Sequence, residues 1–185
     1  MALKGIENSL NVAIDESNHG RFPEIFTAIA SPFEKDIIIT PTKKLRKDNS
    51  LLFKSLENGR DMRYSIISKK NYEKYGENLI IEVGLELITG LIKNCMYPKK
   101  LNVLVDGYLK DSQIDLFRKN IAYYNLLEPR DINILDLPKE KGFKPKREKT
   151  YLGALADGFA HHLFRDYDYT TLLKGKISSK RIDIH

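Results

Sequence analysis

Apolar and polar positions along this chain change period partway through. The first third is written in short runs. Leu10 to Ile14, Glu24 to Ser31 ("EIFTAIAS") and Met62 to Ser68 ("MRYSIIS") are compact, apolar and β-branched, and predict strands. "DIIIT", Asp36 to Thr40, predicts another, closed by Pro41, and Gly20 to Pro23 predicts a turn. Leu45 to Asn58 is ambiguous and accommodates a short helix. From Asn71 to Asn94 the spacing becomes helical: Leu79, Val83, Leu87 and Leu91 recur every four residues, with Ile80, Ile88 and Ile92 beside them. "LNVLV", Leu101 to Val105, returns to a buried strand. Ser112 to Asn125 follows as an amphipathic helix with Ser112 at its N-cap. Ile132 to Leu137 predicts one more strand. "YLGALADGFAHHLFRDY" predicts a last helix, its stripe built of Leu152, Leu155, Ala156, Phe159, Ala160 and Leu163.

Strands come first; helix, strand, helix, strand and helix follow. Early hairpins favour antiparallel pairing, and the later alternation favours parallel crossovers. The expected fold is α/β: a mixed central sheet flanked by helices, in one domain spanning residues 1–185.

Two of the strands end in acids. Asp15 and Glu16 close the first, and Asp106 closes Leu101 to Val105. Either these acids face water where each strand ends, or a cation sits among them. Ligand sites of open α/β sheets lie beyond the strand carboxyl ends. Two carboxylates on neighbouring parallel strands would repel, and a divalent cation removes that penalty. Hard oxygen donors suit Mg²⁺ or Mn²⁺. Asp157 lies among Gly153, Ala154 and Gly158, small residues that let a helix approach a sheet; it joins the acids or faces water. Glu82 and Glu86, four apart, share one face of the long helix with Thr89 and Lys93, and are either ligands or surface residues.

Composition alters this picture only modestly. The chain is 42% hydrophobic and 30% charged, with no apolar run near the roughly 20 residues of a membrane helix. No leader-like segment opens it, and the single Cys95 excludes an internal disulfide and a paired-CxxC zinc site. Together these favour a cytoplasmic protein with no membrane partner. The net charge of +6 favours an acidic partner. Its basic residues concentrate in "TKKLRK" (Lys43, Lys44, Arg46) and in Lys139 to Lys149 (Lys144, Lys146, Arg147), either solvated loops or contacts to the phosphates of a nucleic acid. His161 and His162 lack the further spaced ligand that a zinc site needs, and read as a pair on the helix surface or as a partner of Asp157.

The order of acids, with "AIDES", "VLVDG" and "LGALADGFAHHLFR", resembles the ribonuclease H-like superfamily over roughly residues 10 to 167. It looks like a group of uncharacterised ribonuclease H-like domains. "IDESNHGR" is also similar to the Asp-Glu-Ala-Gly-Arg-Gly opening of type 2 ribonuclease H, departing from it at Asn18 and His19. The resemblance implies a nuclease using two ions, Mg²⁺ or Mn²⁺, on DNA or RNA. It implies Asp15 as the bridging ligand, Asp106 on one ion and Asp157 on the other. Glu82 is the helix ligand, with Glu86 as its competitor. Glu16 joins only if the strand bends at Asp15, because neighbouring strand residues point to opposite faces. The alternatives are a nucleic-acid-binding domain that has lost catalysis, and a structural or interaction module.

Overall fold

The computed structural model describes residues 9–17, 22–38, 49–93, 98–106, 109–136, 150–165 and 180–184. Five strands form one sheet: β1 (Ser9–Ser17), β2 (Glu24–Ser31), β3 (Asp61–Ile67), β4 (Lys100–Val105) and β5 (Ile132–Asp136). Their order is β3-β2-β1-β4-β5. β1, β2 and β3 pair antiparallel, while β4 pairs parallel with both β1 and β5. The helices are α1 (Asn49–Glu57), α2 (Lys69–Tyr75), α3 (Leu79–Ile92), α4 (Asp111–Asn125) and α5 (Tyr151–Arg165). None of the described helices is long and apolar enough to cross a membrane.

Strand alternation builds two cores. Leu10, Val12 and Ile14 of β1, with Val103 and Val105 of β4, pack against α3 and α4. Ala13 of β1, Ile25 and Ile29 of β2 and Leu104 of β4 pack against α5 and α1. Burying each large aliphatic or aromatic side chain contributes about 1.5–3 kcal/mol. Gly84 sets the depth of α3. A Cβ there would lie 2.8 Å from Phe117 Cζ and 3.1 Å from Ile14 Cδ1, so a hydrogen at this position lets α3 nest on both β1 and α4. Lys110, 2.7 Å from Glu77, ties the start of α4 to the turn before α3, and its hydrogen bond and charge hold the Glu77 carboxyl below its ordinary range.

Four elements differ from the sequence expectation. Asp36 begins no strand. It lies in a single 3-10 turn, Glu34–Ile37, because its buried carboxylate accepts hydrogen bonds from Ser31 Oγ (2.5 Å), Arg60 Nε (2.7 Å) and Arg60 Nη2 (2.9 Å). These charge-assisted bonds outweigh the β preference of the isoleucines after it. The long helical pattern from Asn71 divides into α2 and α3 at Gly76, whose φ of 54° ends α2. Ser112 is not a cap: α4 starts at Asp111, and the Gln113 side chain accepts the Lys110 N–H at 3.0 Å instead. Finally, β1 runs past Ile14 through Asp15 and Glu16 to Ser17, because β2 continues the ladder opposite it.

A candidate active site at the carboxyl ends of β1 and β4

The parallel pairing of β1 and β4 ends at Ile14 opposite Val105. One step further, the Asp106 N–H donates to the Ile14 carbonyl at 3.1 Å, which brings Asp106 level with Asp15. Ala13 and Leu104, two residues earlier on each strand, face α5. Alternation assigns Asp15 and Asp106 to that same face, on strands about 4.8 Å apart. Asp15 is 4% exposed, and Asp106 is half-buried.

α5 brings the third acid. Thr27 on β2 is paired with Asp15 across the antiparallel ladder. Its Oγ1, fully buried, donates to the carbonyl of Ala156 at 2.7 Å. The next residue is Asp157, half-buried. Ala154, Ala156, Gly158 and Ala160 are all buried, so the helix lies close against the sheet. Thr27 was not singled out from the sequence. The available signal was one hydroxyl in the middle of the otherwise apolar "IFTAIA".

The remaining acids occupy the other side. Glu16 alternates away from Asp15 toward the α3 face, with its Oε2 buried. The strand does not bend at Asp15, since Glu16 and Ser17 remain paired with Phe26 and Ile25. Glu82, half-buried, and Glu86, exposed, sit on α3, which packs against the face opposite α5. Their helical face also carries Thr89, whose hydroxyl accepts a hydrogen bond from Asn125 of α4 at 3.3 Å. Glu16, Glu82 and Glu86 thus lie on the face of the sheet opposite Asp15.

Six oxygens on Asp15, Asp106 and Asp157 form a donor set suited to a hard divalent cation. Their backbones are adjacent, but the side chains are not yet gathered. Among the described residues, no three His, Cys, Asp or Glu side chains are close enough together to hold an ion. Asp15 Oδ1 instead accepts the N–H of Glu16 at 2.9 Å.

His162 is buried with both ring nitrogens inside, so the expected surface pair reduces to the exposed His161; their ring centroids are 5.8 Å apart. His19, Cys95, Lys43, Lys44, Arg46, Lys144, Lys146 and Arg147 lie outside the described residues.

No protein-family model and no curated protein matches the sequence. Solved structures match the fold. Bst-RNase HIII, determined in complex with Mn²⁺, is 12% identical with a TM-score of 0.53 over 96% of this chain. This chain spans 58% of the length of that protein. RNase HII of Archaeoglobus fulgidus, determined in complex with PCNA, is 14% identical with a TM-score of 0.49, over 91% of this chain and 78% of that one. The fold is ribonuclease H-like.

Proposed function

We propose that this ribonuclease H-like chain is a metal-dependent nuclease that hydrolyses phosphodiester bonds of DNA or RNA. The observation that carries the reading is the register: Asp15 and Asp106 side by side beyond the last parallel pair, with Asp157 anchored over the same row through Thr27. Drawing these carboxylates together would be costly by itself, and a bound cation would offset that cost. The Mn²⁺ in the solved RNase HIII supports the choice of ion class.

In this reading Asp15, Asp106 and Asp157 would hold the two Mg²⁺ or Mn²⁺ ions, with Asp15 as the ligand they share. Glu82 would complete the set around the strand end, with Glu86 as its substitute, while Glu16, on a strand that does not bend at Asp15, would stay outside it. When bound, such ions lower the pKa of water and neutralise charge on the phosphate. The carboxylates would fix the ions. The Thr27–Ala156 bond fixes the helix that carries Asp157. Lys43, Lys44, Arg46, Lys144, Lys146 and Arg147 contribute salt-sensitive contacts to the strand's phosphates.

The test is hydrolysis of labelled single- and double-stranded DNA, RNA and hybrid substrates with Mg²⁺, Mn²⁺ or EDTA. Activity is expected with either ion and absent in EDTA. D15N and D106N should each lower it by more than about 100-fold, beyond the loss typical of groups that only support a metal ligand. Activity that survives EDTA, or both substitutions, rules the mechanism out. One observation favours a second reading: the acid side chains are not gathered. A domain that binds nucleic acid without cutting it would retain salt-sensitive binding and show no hydrolysis with any ion.

A further inference from the structure

The outer edge of β3 is filled by the chain itself. Arg181 bridges to Tyr64, Ile182 sits against Gly90 of α3, and Lys180 pairs with the buried Asp61. The corner where β2 ends and β3 begins holds an open cleft of about 580 Å³, lined by Phe33, Lys35, Asp36, Ile38, Arg60 and Tyr151. Phe33 is 37% exposed and Ile38 is 59% exposed. Two large apolar side chains therefore meet water in a cleft that also carries two cationic side chains.

The aromatic wall of this cleft is held in place. The Arg60 guanidinium lies 5.1 Å from the ring centroids of both Phe33 and Tyr151. Asp36 fixes its plane with hydrogen bonds of 2.7 and 2.9 Å. That carboxylate also balances its charge, so Arg60 contributes a flat stacking surface more than a net charge. The backbone of Phe33 is held from both sides: its N–H donates to Ser31 Oγ at 3.1 Å, and its carbonyl accepts from Asn11 Nδ2 at 3.3 Å. An amide ladder across the sheet supports Asn11 in turn. Asn102 Nδ2 donates to Asn11 Oδ1 at 2.8 Å, and Asn133 Nδ2 donates to Asn102 Oδ1 at 3.0 Å. Lys35 Nζ lies 5.5 Å from the Phe33 ring centroid and supplies the cation that Asp36 does not balance.

Both basic runs of the sequence adjoin this cleft along the chain. Lys43, Lys44 and Arg46 follow Ile38 by five to eight residues, and Lys146, Arg147 and Lys149 precede Tyr151 by two to five. Such a concentration of positive charge attracts a polyanion. Flat rings beside it suit an anion that carries flat rings of its own, whereas an acidic peptide would use the charge and leave the rings idle. We propose that this cleft binds a nucleotide of a single-stranded nucleic acid, with the base stacked on the wall of Phe33, Arg60 and Tyr151 and the phosphate at Lys35. A free mononucleotide offers the same chemistry, and the experiment below separates the two. Asn11, which holds Phe33, precedes Asp15 by four residues on β1, a rise of about 13 Å. That distance is about four base steps at the duplex rise of roughly 3.4 Å. The cleft would thus hold an unpaired nucleotide a few positions from the bond to be cut. This role rests on the nuclease reading; the binding itself does not.

The test is fluorescence anisotropy of a labelled oligothymidylate with the full chain in EDTA, where binding is read without cutting. Phe33→Leu keeps apolar bulk and removes the ring. It should weaken binding about 10-fold, within the range for one stacked base, and Phe33→Tyr should bind as the unaltered chain does. Lys35→Gln should reduce the slope of log affinity against log salt by about 0.7. A blunt duplex, which offers no unpaired base, should bind Phe33→Leu and the unaltered chain alike. If circular dichroism shows Phe33→Leu to be unfolded, Tyr151→Leu is read in its place. Folded ring variants that bind the strand as tightly as the unaltered chain overturn the proposal. Labelled poly-glutamate whose binding also falls about 10-fold in Phe33→Leu assigns the cleft to acidic peptides and overturns it too. A labelled mononucleotide that binds as tightly as the strand overturns the strand as the ligand. Hydrolysis is measured separately with Mg²⁺ or Mn²⁺. Ring-dependent binding without hydrolysis upholds the cleft and removes only the nuclease reading, whereas hydrolysis with ring-independent binding overturns the cleft and leaves that reading standing.

Discussion

At Asp15 the chain keeps a carboxylate 4% exposed on the core face of a strand, and its neighbours determine what that acid can do. Asn is nearly the same shape, so Asp15→Asn and Asp106→Asn should leave the melting temperature unchanged or higher while removing hydrolysis; a melting curve beside the nuclease assay separates the two effects. Thr27→Val keeps shape and removes the donor to the Ala156 carbonyl. The lost bond should cost about 0.5–1.5 kcal/mol, since the Ala156 carbonyl keeps its place in the α5 ladder, and lower the melting temperature by a few degrees for a chain of this size. Activity should fall with it, because Asp157 follows directly in α5. On the proposed reading, Glu82→Gln should lower hydrolysis and Glu16→Gln should leave it unchanged, as the same nuclease assay would show.

At the scale of elements, close contact is maintained at two places. Gly84→Ala forces a methyl against Phe117 and Ile14, so α3 must lift or Phe117 must turn. A destabilisation of about 1–3 kcal/mol is expected, read from urea unfolding at unchanged slope. The turn at Glu34–Ile37 depends on Asp36 and Arg60, whose side chains are 3% and 8% exposed. Phe33 and Tyr151 rings lie 5.1 Å from the Arg60 guanidinium, and line an open cleft of about 580 Å³ with it. Asp36→Ala strands that guanidinium and should cost about 3–5 kcal/mol, whereas Asp36→Leu with Arg60→Met together should cost far less. Unfolding of the single and double variants under the same denaturant checks the difference.

The whole molecule responds to pH through its edge. Burial raises the Tyr64 hydroxyl above its ordinary value; nearby Arg181 opposes the rise and Asp183 adds to it. Folding therefore favours the neutral phenol. This contribution is fully present below pH 10, where a phenol in the unfolded chain begins to ionise, and is lost as pH rises through the folded value. The melting temperature should fall above pH 10, and Tyr64→Phe should flatten part of that fall; equal slopes for the two proteins would refute the assignment to Tyr64. If the proposed ions bind in the same cross-strand row, two strands away at Asp15, millimolar Mg²⁺ or Mn²⁺ should raise the melting temperature of the unaltered chain and leave D15N unmoved, as expected for a ligand that binds only the folded state.

Read alone, the sequence determined the layers and their order. Strand and helix periods are local properties, set by which side chains must leave water together, and so β2, β3, β4, β5, the α3 stripe and the α5 stripe were all legible. It also marked Asp15 and Asp106, acids at the ends of apolar runs, and Asp157, an acid among the small residues of a helix. Tertiary structure alone decided the rest. The extension of β1 through Glu16 came from a partner strand, and the turn at Asp36 from an arginine 24 residues away. The face given to each acid came from β1–β4 register and from a hydroxyl on β2 that holds a carbonyl 129 residues distant. Residues 180–184 carry no periodic signal; their place depends on a glycine in α3 and an acid in β3. Such contacts join residues far apart in the chain, and a local pattern holds no information about which distant group will meet it.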